Sequence, residues 1–234
     1  MGPRALIFDF NGVLWWDGHL QDRAWGDFAE RVRGRRLSPE EMAVHVHGRN
    51  NGYTLEYLLG RPLGEEETAR LAEEKEVLYR GLCLAQGQDG DGAGEGFCLS
   101  PGAVKLLDWL AAHGIPRAIA TASGRGNVDF FRAHLGLDRW FDAGHIVYDD
   151  GTLRGKPAPD LYLRAAEVLG RPPGRCLVVE DSRSGIEAAR AAGIGCLVAL
   201  GPRAEHEALR RLPGVDRVVE DLGEVLAWLA GGGL

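Results

Sequence analysis

The sequence predicts an α/β fold, a doubly wound parallel sheet interrupted by an inserted α-helical domain, and three observations carry that prediction. A short apolar run, Ala5 to Phe8, ends on Asp9. From about Asp22 to Leu84 the chain shows helix signals with little strand signal. From Ala103 onward, amphipathic helical segments and short apolar runs alternate strictly.

Each element follows from its local pattern. ALIF is continuously apolar, as a parallel strand buried on both faces must be. DRAWGDFAERVRG and SPEEMAVHVHG read as helices, the second with Ser38 as N-cap, Pro39 in the first helical position and Glu41 closing a capping box. YTLEYLLG and EEETARLAEEKEVLYRGL add two more helices. The Gly-rich stretch AQGQDGDGAGEGFCLSPG, residues 85–102, reads as the hinge out of the insertion. Its acidic run is not a calcium loop, since Ala93 and Ser100 stand where acidic ligands are needed. There follow AVKLLDWLAAHG, IPRAIAT, GNVDFFRAHLG, GHIVY, PDLYLRAAEVLG, RCLVVED, SGIEAARAAG and GCLVALG, then the weaker EHEALRRL, DRVVE and LGEVLAWLA. Such alternation implies a parallel sheet with helices on both faces. The predicted division is a core of residues 1–16 and 99–234 and a helical cap of 17–98 that includes the hinge.

Composition narrows the class of function. The 234 residues, 45 % hydrophobic and 26 % charged, allow one core domain plus a smaller cap. Lys and Arg total 27 against 34 Asp and Glu, a net charge of -7, which argues against a nucleic-acid partner. No apolar run approaches the length that spans a membrane, and the first strand begins too near the N-terminus to leave room for a signal peptide. Cys83, Cys98, Cys176 and Cys196 form no CxxC pair and read as reduced thiols, so the expected location is cytoplasmic.

In a doubly wound sheet, ligands gather at the carboxyl ends of the strands. Those ends carry Asp9, Thr121, and the pair Glu180 and Asp181. Carboxylates brought together there would repel unless a cation stood between them, and hard divalent ions, Mg²⁺ above all, take such oxygen ligands. Taken alone, Glu180 and Asp181 also read as caps of the helix that follows. Thr121, Ala122 and Ser123 fall at a strand-to-helix turn, where a hydroxyl and backbone N–H groups hold phosphate or simply cap the helix. Lys156, set between Gly155 and Pro157 on a stiff loop, supplies a cation that balances a phosphate and a carboxylate nucleophile together.

The order DFNGVL, TAS, KPAPD and VVEDSRSGIEAARAAG resembles the haloacid dehalogenase (HAD) superfamily over nearly the whole chain, in its helical-cap branch with beta-phosphoglucomutases and phosphoglycolate phosphatase-like proteins. The resemblance implies a Rossmann-like core and an aspartyl-phosphate formed on Asp9. It implies that Thr121 holds the transferring phosphoryl group and that Lys156 neutralises it. It also implies Mg²⁺ bound by the Asp9 and Asp181 side chains and by the backbone carbonyl of Asn11, with Glu180 behind them or acting through water. Arg49, in a segment resembling the family's specificity loop, would bind a substrate carboxylate or phosphate, or stand as an ordinary solvated arginine.

Two positions depart from the family pattern. Phosphatases of this family carry a second Asp two residues after the nucleophile as general acid and base, and here that residue is Asn11, whose amide does not exchange protons near neutral pH. Another Asp often stands seven residues after the nucleophile, where this chain has Trp16, followed by Asp17. Asp17 or His19 is a possible substitute acid, but the preferred expectation is that Asp17 is a surface loop carboxylate. Trp15 and Trp16 are expected to pack the cap on the core. The leading function is an Mg²⁺-dependent phosphatase of small phosphorylated metabolites, compromised in proton transfer and best with leaving groups that need no acid. The alternatives are a phosphate-binding or slowly turning-over phospho-aspartyl module, and a metal-independent 2-haloacid dehalogenase.

Overall fold

The computed structural model describes residues 5–86 and 96–233. Strand β1 (Ala5–Phe8) lies at the centre of a six-stranded sheet. It pairs in parallel with β2 (Arg117–Gly124) on one side and β4 (Cys176–Glu180) on the other. Strands β3 (Ile146–Asp149), β5 (Cys196–Leu200) and β6 (Arg217–Val219) complete the order β3-β2-β1-β4-β5-β6. The chain reverses its winding direction between β1 and β4, and that reversal opens a crevice at their carboxyl ends.

The continuous apolar runs are explained by burial on both faces. Leu6 and Phe8 of β1, with Leu177 and Val179 of β4, enter one hydrophobic cluster. Helices α5 (Ala103–Ala112), α6 (Arg125–Leu135) and α10 (Leu222–Trp228) cover that face with Leu106, Phe131 and Val225. Ala5, Ile7, Cys176 and Val178 point the other way, into a second cluster closed by α7 (Asp160–Val168), α8 (Arg183–Ala191) and α9 (His206–Arg210).

The expected insertion is present as four consecutive helices, α1 (Gly18–Arg33), α2 (Pro39–His45), α3 (Asn51–Leu59) and α4 (Glu65–Ala85). They bury a third cluster of their own around Trp25, Phe28, Met42, Leu55 and Leu71. The capping box forms as read: Ser38 Oγ accepts from Glu41 N at 3.1 Å and Glu41 Oε2 accepts from Ser38 N at 2.8 Å. Losing such a cap costs about 1 kcal/mol. Most of the Gly-rich hinge, residues 87–95, lies outside the described residues. Among the described residues no helix is long and apolar enough to cross a membrane.

The two tryptophans separate. Trp15 is buried in the first cluster against Phe97, with ring centroids 5.0 Å apart, whereas Trp16 is exposed and does not join the packing expected of it.

Candidate active site

Strand register brings the predicted strand-end residues to one level. Phe8 pairs with Val179 and with Ile119, so Asp9 stands beside Glu180 on one side and just before Thr121 on the other. Asp9 N donates to Val179 O at 3.0 Å, fixing its backbone to β4. Lys156 arrives from the loop before α7, and its Nζ donates to Asp9 Oδ1 at 2.7 Å and to Glu180 Oε1 at 2.5 Å. All three side chains are buried.

Glu180 is fully engaged. Besides Lys156, its Oε1 accepts from the Tyr162 hydroxyl at 2.8 Å, and its Oε2 accepts from Ser182 N at 2.7 Å and Ser182 Oγ at 3.0 Å. Burial works against its charge, but Lys156 prevails and holds it below the usual carboxylate range. Glu180 therefore orients Lys156 and does not cap α8. That helix is capped by Ser182, whose Oγ accepts from Gly185 N.

The remaining charges do not balance. One ligand oxygen from each of Asp9, Glu180 and Asp181 lies within 4.8 Å of the others, with one lysine to share. Burial pushes Asp9 up to about 7 in spite of Lys156. Burial, then repulsion from Glu180 and Asp9, holds Asp181 well above its ordinary range. An all-oxygen, carboxylate-rich cluster short of positive charge suits a hard divalent cation. Gly12 keeps its neighbourhood open: it takes φ +80°, and a side chain there would collide with the Asp181 carboxylate.

Thr121 is buried and Ser123 partly so, and neither caps α6, whose N-cap is Gly124 without a side-chain bond. Thr121 Oγ1 accepts from Ser123 N at 3.1 Å, and Ser123 Oγ donates to Asn11 Oδ1 at 2.9 Å. Ala122 lines the same cavity.

The expectation for Asp17 fails. It is 1 % exposed, the opposite of a surface carboxylate. Its Oδ2 accepts from Tyr79 Oη at 2.6 Å, Asn11 Nδ2 at 2.7 Å and Gln21 Nε2 at 3.2 Å, while Oδ1 accepts from Gly12 N at 3.1 Å. Burial raises its pKa. The LWWD segment folds in a tight coil, where Leu14 N and Trp15 N both donate to Phe10 O, and this brings Asp17 back within reach of Asn11. His19 is exposed and engaged with Gln86, away from the cavity.

Arg49 is not a solvated arginine. Its Nη1 donates to the Lys156 carbonyl at 3.1 Å, its Nε donates to the Val44 carbonyl at 3.3 Å, and its guanidinium lies 4.7 Å from the Tyr53 ring centre. Gly48 beside it takes φ +68° and lies so close to Ser182 and Ser184 that a side chain would clash with both hydroxyls. The insertion thus closes over the strand ends. Between them is a cavity of about 120 Å³, lined by Asp9, Asn11, Asp17, Thr121 and Asp181 from below and by Lys75 and Trp25 from above. That is room for on the order of ten water-sized groups, enough for a phosphoryl group with a short carbon chain.

Sequence reasoning missed Tyr162, Lys75 and Glu76, whereas Ser182, read as a cap of the following helix, does cap α8. Tyr162 follows the KPAPD motif on the buried stripe of α7, a discoverable signal. Lys75 and Glu76 lie in the charged run EEKE, which reads as a solvated face and carries none.

The profile of the family described as haloacid dehalogenase-like hydrolase matches residues 3–193. The chain belongs to the haloacid dehalogenase-like hydrolases. It is 30 % identical to hexitol phosphatase A of Escherichia coli K12 over 96 % of this chain and 94 % of that one. It is also 30 % identical to beta-phosphoglucomutase of Mycobacterium bovis over 95 % and 91 %. A solved HAD hydrolase of family IA, variant 3, from Entamoeba histolytica superposes with a TM-score of 0.81 at 35 % identity, covering 94 % of each chain. The protein is thus a hydrolase of a family that includes phosphatases and phosphomutases.

Proposed function

We propose that this HAD-like hydrolase is a phosphatase of small phosphorylated metabolites that works through an aspartyl-phosphate on Asp9. The observation that carries the reading is the buried Asp9–Lys156–Glu180 triad facing Asp181 and Thr121 in a small cavity under the helical insertion. The size of that cavity suits neither a nucleic acid nor a lipid surface. Cys83, Cys176 and Cys196 form no disulfide, which supports a reducing, cytoplasmic setting. The division into a core of 1–16 and 99–234 and a cap of 17–98 belongs to the same proposal.

Asp9 attacks the phosphorus and the leaving oxygen departs. Lys156, held ionised between two carboxylates, offsets the repulsion between nucleophile and phosphate. Burial works against its charge, but Asp9 and Glu180 overrule it and keep it above the ordinary lysine range. The Thr121 hydroxyl and the Ala122 N–H hold the phosphoryl oxygens, with Ser123, whose N–H donates to Thr121 Oγ1, shaping the turn around them. Asp9, Asp181 and the Asn11 carbonyl would hold Mg²⁺, with Glu180 orienting Lys156 behind them. The ion would supply charge neutralisation for nucleophile and phosphate. Asp17 supports proton transfer: it is a buried carboxyl with a raised pKa on the cavity wall, and Asn11 is tied to it.

Intact-mass measurement after mixing with acetyl phosphate and Mg²⁺ tests the reading. It should show one added phosphoryl group on the wild type or rapid release of phosphate, and neither on Asp9→Asn. An Asp9→Asn chain that still turned over would end the proposal. A long-lived adduct with slow release would instead favour the phospho-aspartyl module, which Asn11 makes the natural second reading. Turnover of a 2-haloacid without metal would favour the dehalogenase, against which the Asp181 carboxylate stands.

A further inference from the structure

Lys156 is shared between two carboxylates, and which of them holds it decides whether its charge reaches the reacting atoms. Its Nζ stands 2.7 Å from Asp9 Oδ1 and 2.5 Å from Glu180 Oε1, so the shorter contact is to the carboxylate that takes no part in bond making. Two anions compete here for one buried ammonium. Glu180 nevertheless carries three further donors. Tyr162 Oη donates at 2.8 Å to the same Oε1, while Ser182 N at 2.7 Å and Ser182 Oγ at 3.0 Å donate to Oε2. An ionised carboxylate offers about four acceptor sites, and these bonds fill them.

Of the three added donors, the Tyr162 hydroxyl is the one that shares an oxygen with Lys156. Tyr162 is completely buried, and its ring centre lies 5.1 Å from the ammonium. The loop that carries Lys156 is tied to the helix that carries Tyr162. Arg154 donates to Asp160, the first residue of α7, through Nε at 3.0 Å and Nη2 at 2.9 Å. From the insertion, Arg49 fixes the Lys156 carbonyl. Ammonium and phenol are thus held against the same carboxylate oxygen. A hydrogen bond to an ionised carboxylate stabilises its charge without a cation, so Glu180 depends less on Lys156 than a bare carboxylate would. Were the phenol hydroxyl removed, Oε1 would lose a donor in a buried site, and the other donor on that oxygen is Lys156.

We propose that Tyr162 is a positioning residue for phosphoryl transfer: by donating to Glu180 Oε1 it lessens the hold of that carboxylate on Lys156 and leaves the ammonium to Asp9 and the incoming phosphate. The inference rests on the aspartyl-phosphate reading for its reaction and on the shared oxygen for its geometry.

Tyr162→Phe keeps the ring and its packing and removes the one bond. With KM unchanged, kcat is expected to fall about tenfold, the loss that one hydrogen bond to a charged group implies. The fall should be equal on acetyl phosphate and on a sugar phosphate, because Lys156 acts on nucleophile and phosphate and not on the leaving group. Beside Glu180→Gln, which removes the competing charge, the same change should lower kcat about twofold or less. A second readout needs no turnover. The chain has three lysines, Lys75, Lys105 and Lys156, so few ammonium signals have to be separated by NMR of the metal-free protein. In Tyr162→Phe the hydrogen-bond coupling from Lys156 Nζ to the Asp9 carboxyl carbon should weaken, and that to the Glu180 carboxyl carbon should strengthen. Unmoved couplings would overturn the proposal, as would an unchanged kcat, a loss confined to KM, or a loss undiminished beside Glu180→Gln. A wild type that turns over no phosphate, with couplings that shift as stated, would sink the phosphatase reading and leave the positioning of Lys156 standing. Brisk wild-type turnover with unmoved couplings would do the reverse.

Discussion

The Asn11 amide nitrogen donates to Asp17 Oδ2 at 2.7 Å, so the residue that replaces the family's usual acid is tied directly to a buried carboxyl eight positions after the nucleophile. Asn11→Asp would place two carboxyls at that distance, and one of them would have to keep a proton. Turnover of an alkyl phosphate is expected to rise at least tenfold while thermal stability falls, because Asp17 exchanges a donor for a repelling neighbour at a cost of about 1–3 kcal/mol. The double variant Asn11→Asp, Asp17→Asn should regain the lost melting temperature. Steady-state kinetics and thermal denaturation of the wild type and the two variants check this. An unchanged rate in Asn11→Asp would mean that proton transfer does not limit turnover.

Asp17→Asn separates proton supply from phosphoryl transfer. General acid and base assistance is worth roughly 10²- to 10⁴-fold, and acyl phosphates need little of it. The variant should therefore lose about two orders of magnitude on a sugar phosphate and far less on acetyl phosphate. Equal losses on both substrates would assign Asp17 a purely structural part.

The response to Mg²⁺ should depend on pH in a definite sense. An unfolded chain releases the Asp9 proton near its ordinary value of 3.8, while the metal-free folded protein holds it to about 7. Between those values the folded state binds more protons, so this group makes the protein less stable as pH rises. Asp17 and Asp181 are raised as well and act in the same direction. A divalent cation binds the deprotonated cluster. Its stabilisation should therefore be small near about pH 5 and grow toward about pH 8, reaching about 2.7 kcal/mol at a hundredfold excess over Kd. A melting-temperature increment that stays flat across that range would contradict Mg²⁺ binding at Asp9 and Asp181.

Lys156→Met leaves Asp9 and Glu180 facing each other without a cation. Breaking a buried ion pair by removing one partner costs about 3–5 kcal/mol, and chemical denaturation should show a loss of that size. Pairing it with Glu180→Gln should cost less than the sum of the two single variants, since the groups share one network. Strict additivity would show that the contacts seen here contribute little to stability.

Much of this organisation is legible in the order of residues, for reasons that are local. Continuous apolar runs such as ALIF and CLVV can only be strands covered on both faces, and alternation with helices requires them to be parallel. Parallel strands end at one edge, which is why Asp9, Thr121 and Glu180 could be expected near each other from their positions alone. The Ser38–Glu41 capping box is equally local, spanning four residues.

What the order of residues could not convey depends on contacts distant in the chain. Asp17 looks like a loop carboxylate until the coil at Phe10 folds it beneath Asn11 and Tyr79, sixty-two positions away, donates to it. Lys75 and Glu76 sit in a run that reads as solvated surface, and only Asn127, fifty-one positions after Glu76 and on the other side of the closure, shows that this face turns inward. A single carboxylate or ammonium has the same local signature whether it meets water or a partner. Whether it is a surface charge or part of a site is settled by how the insertion closes on the sheet.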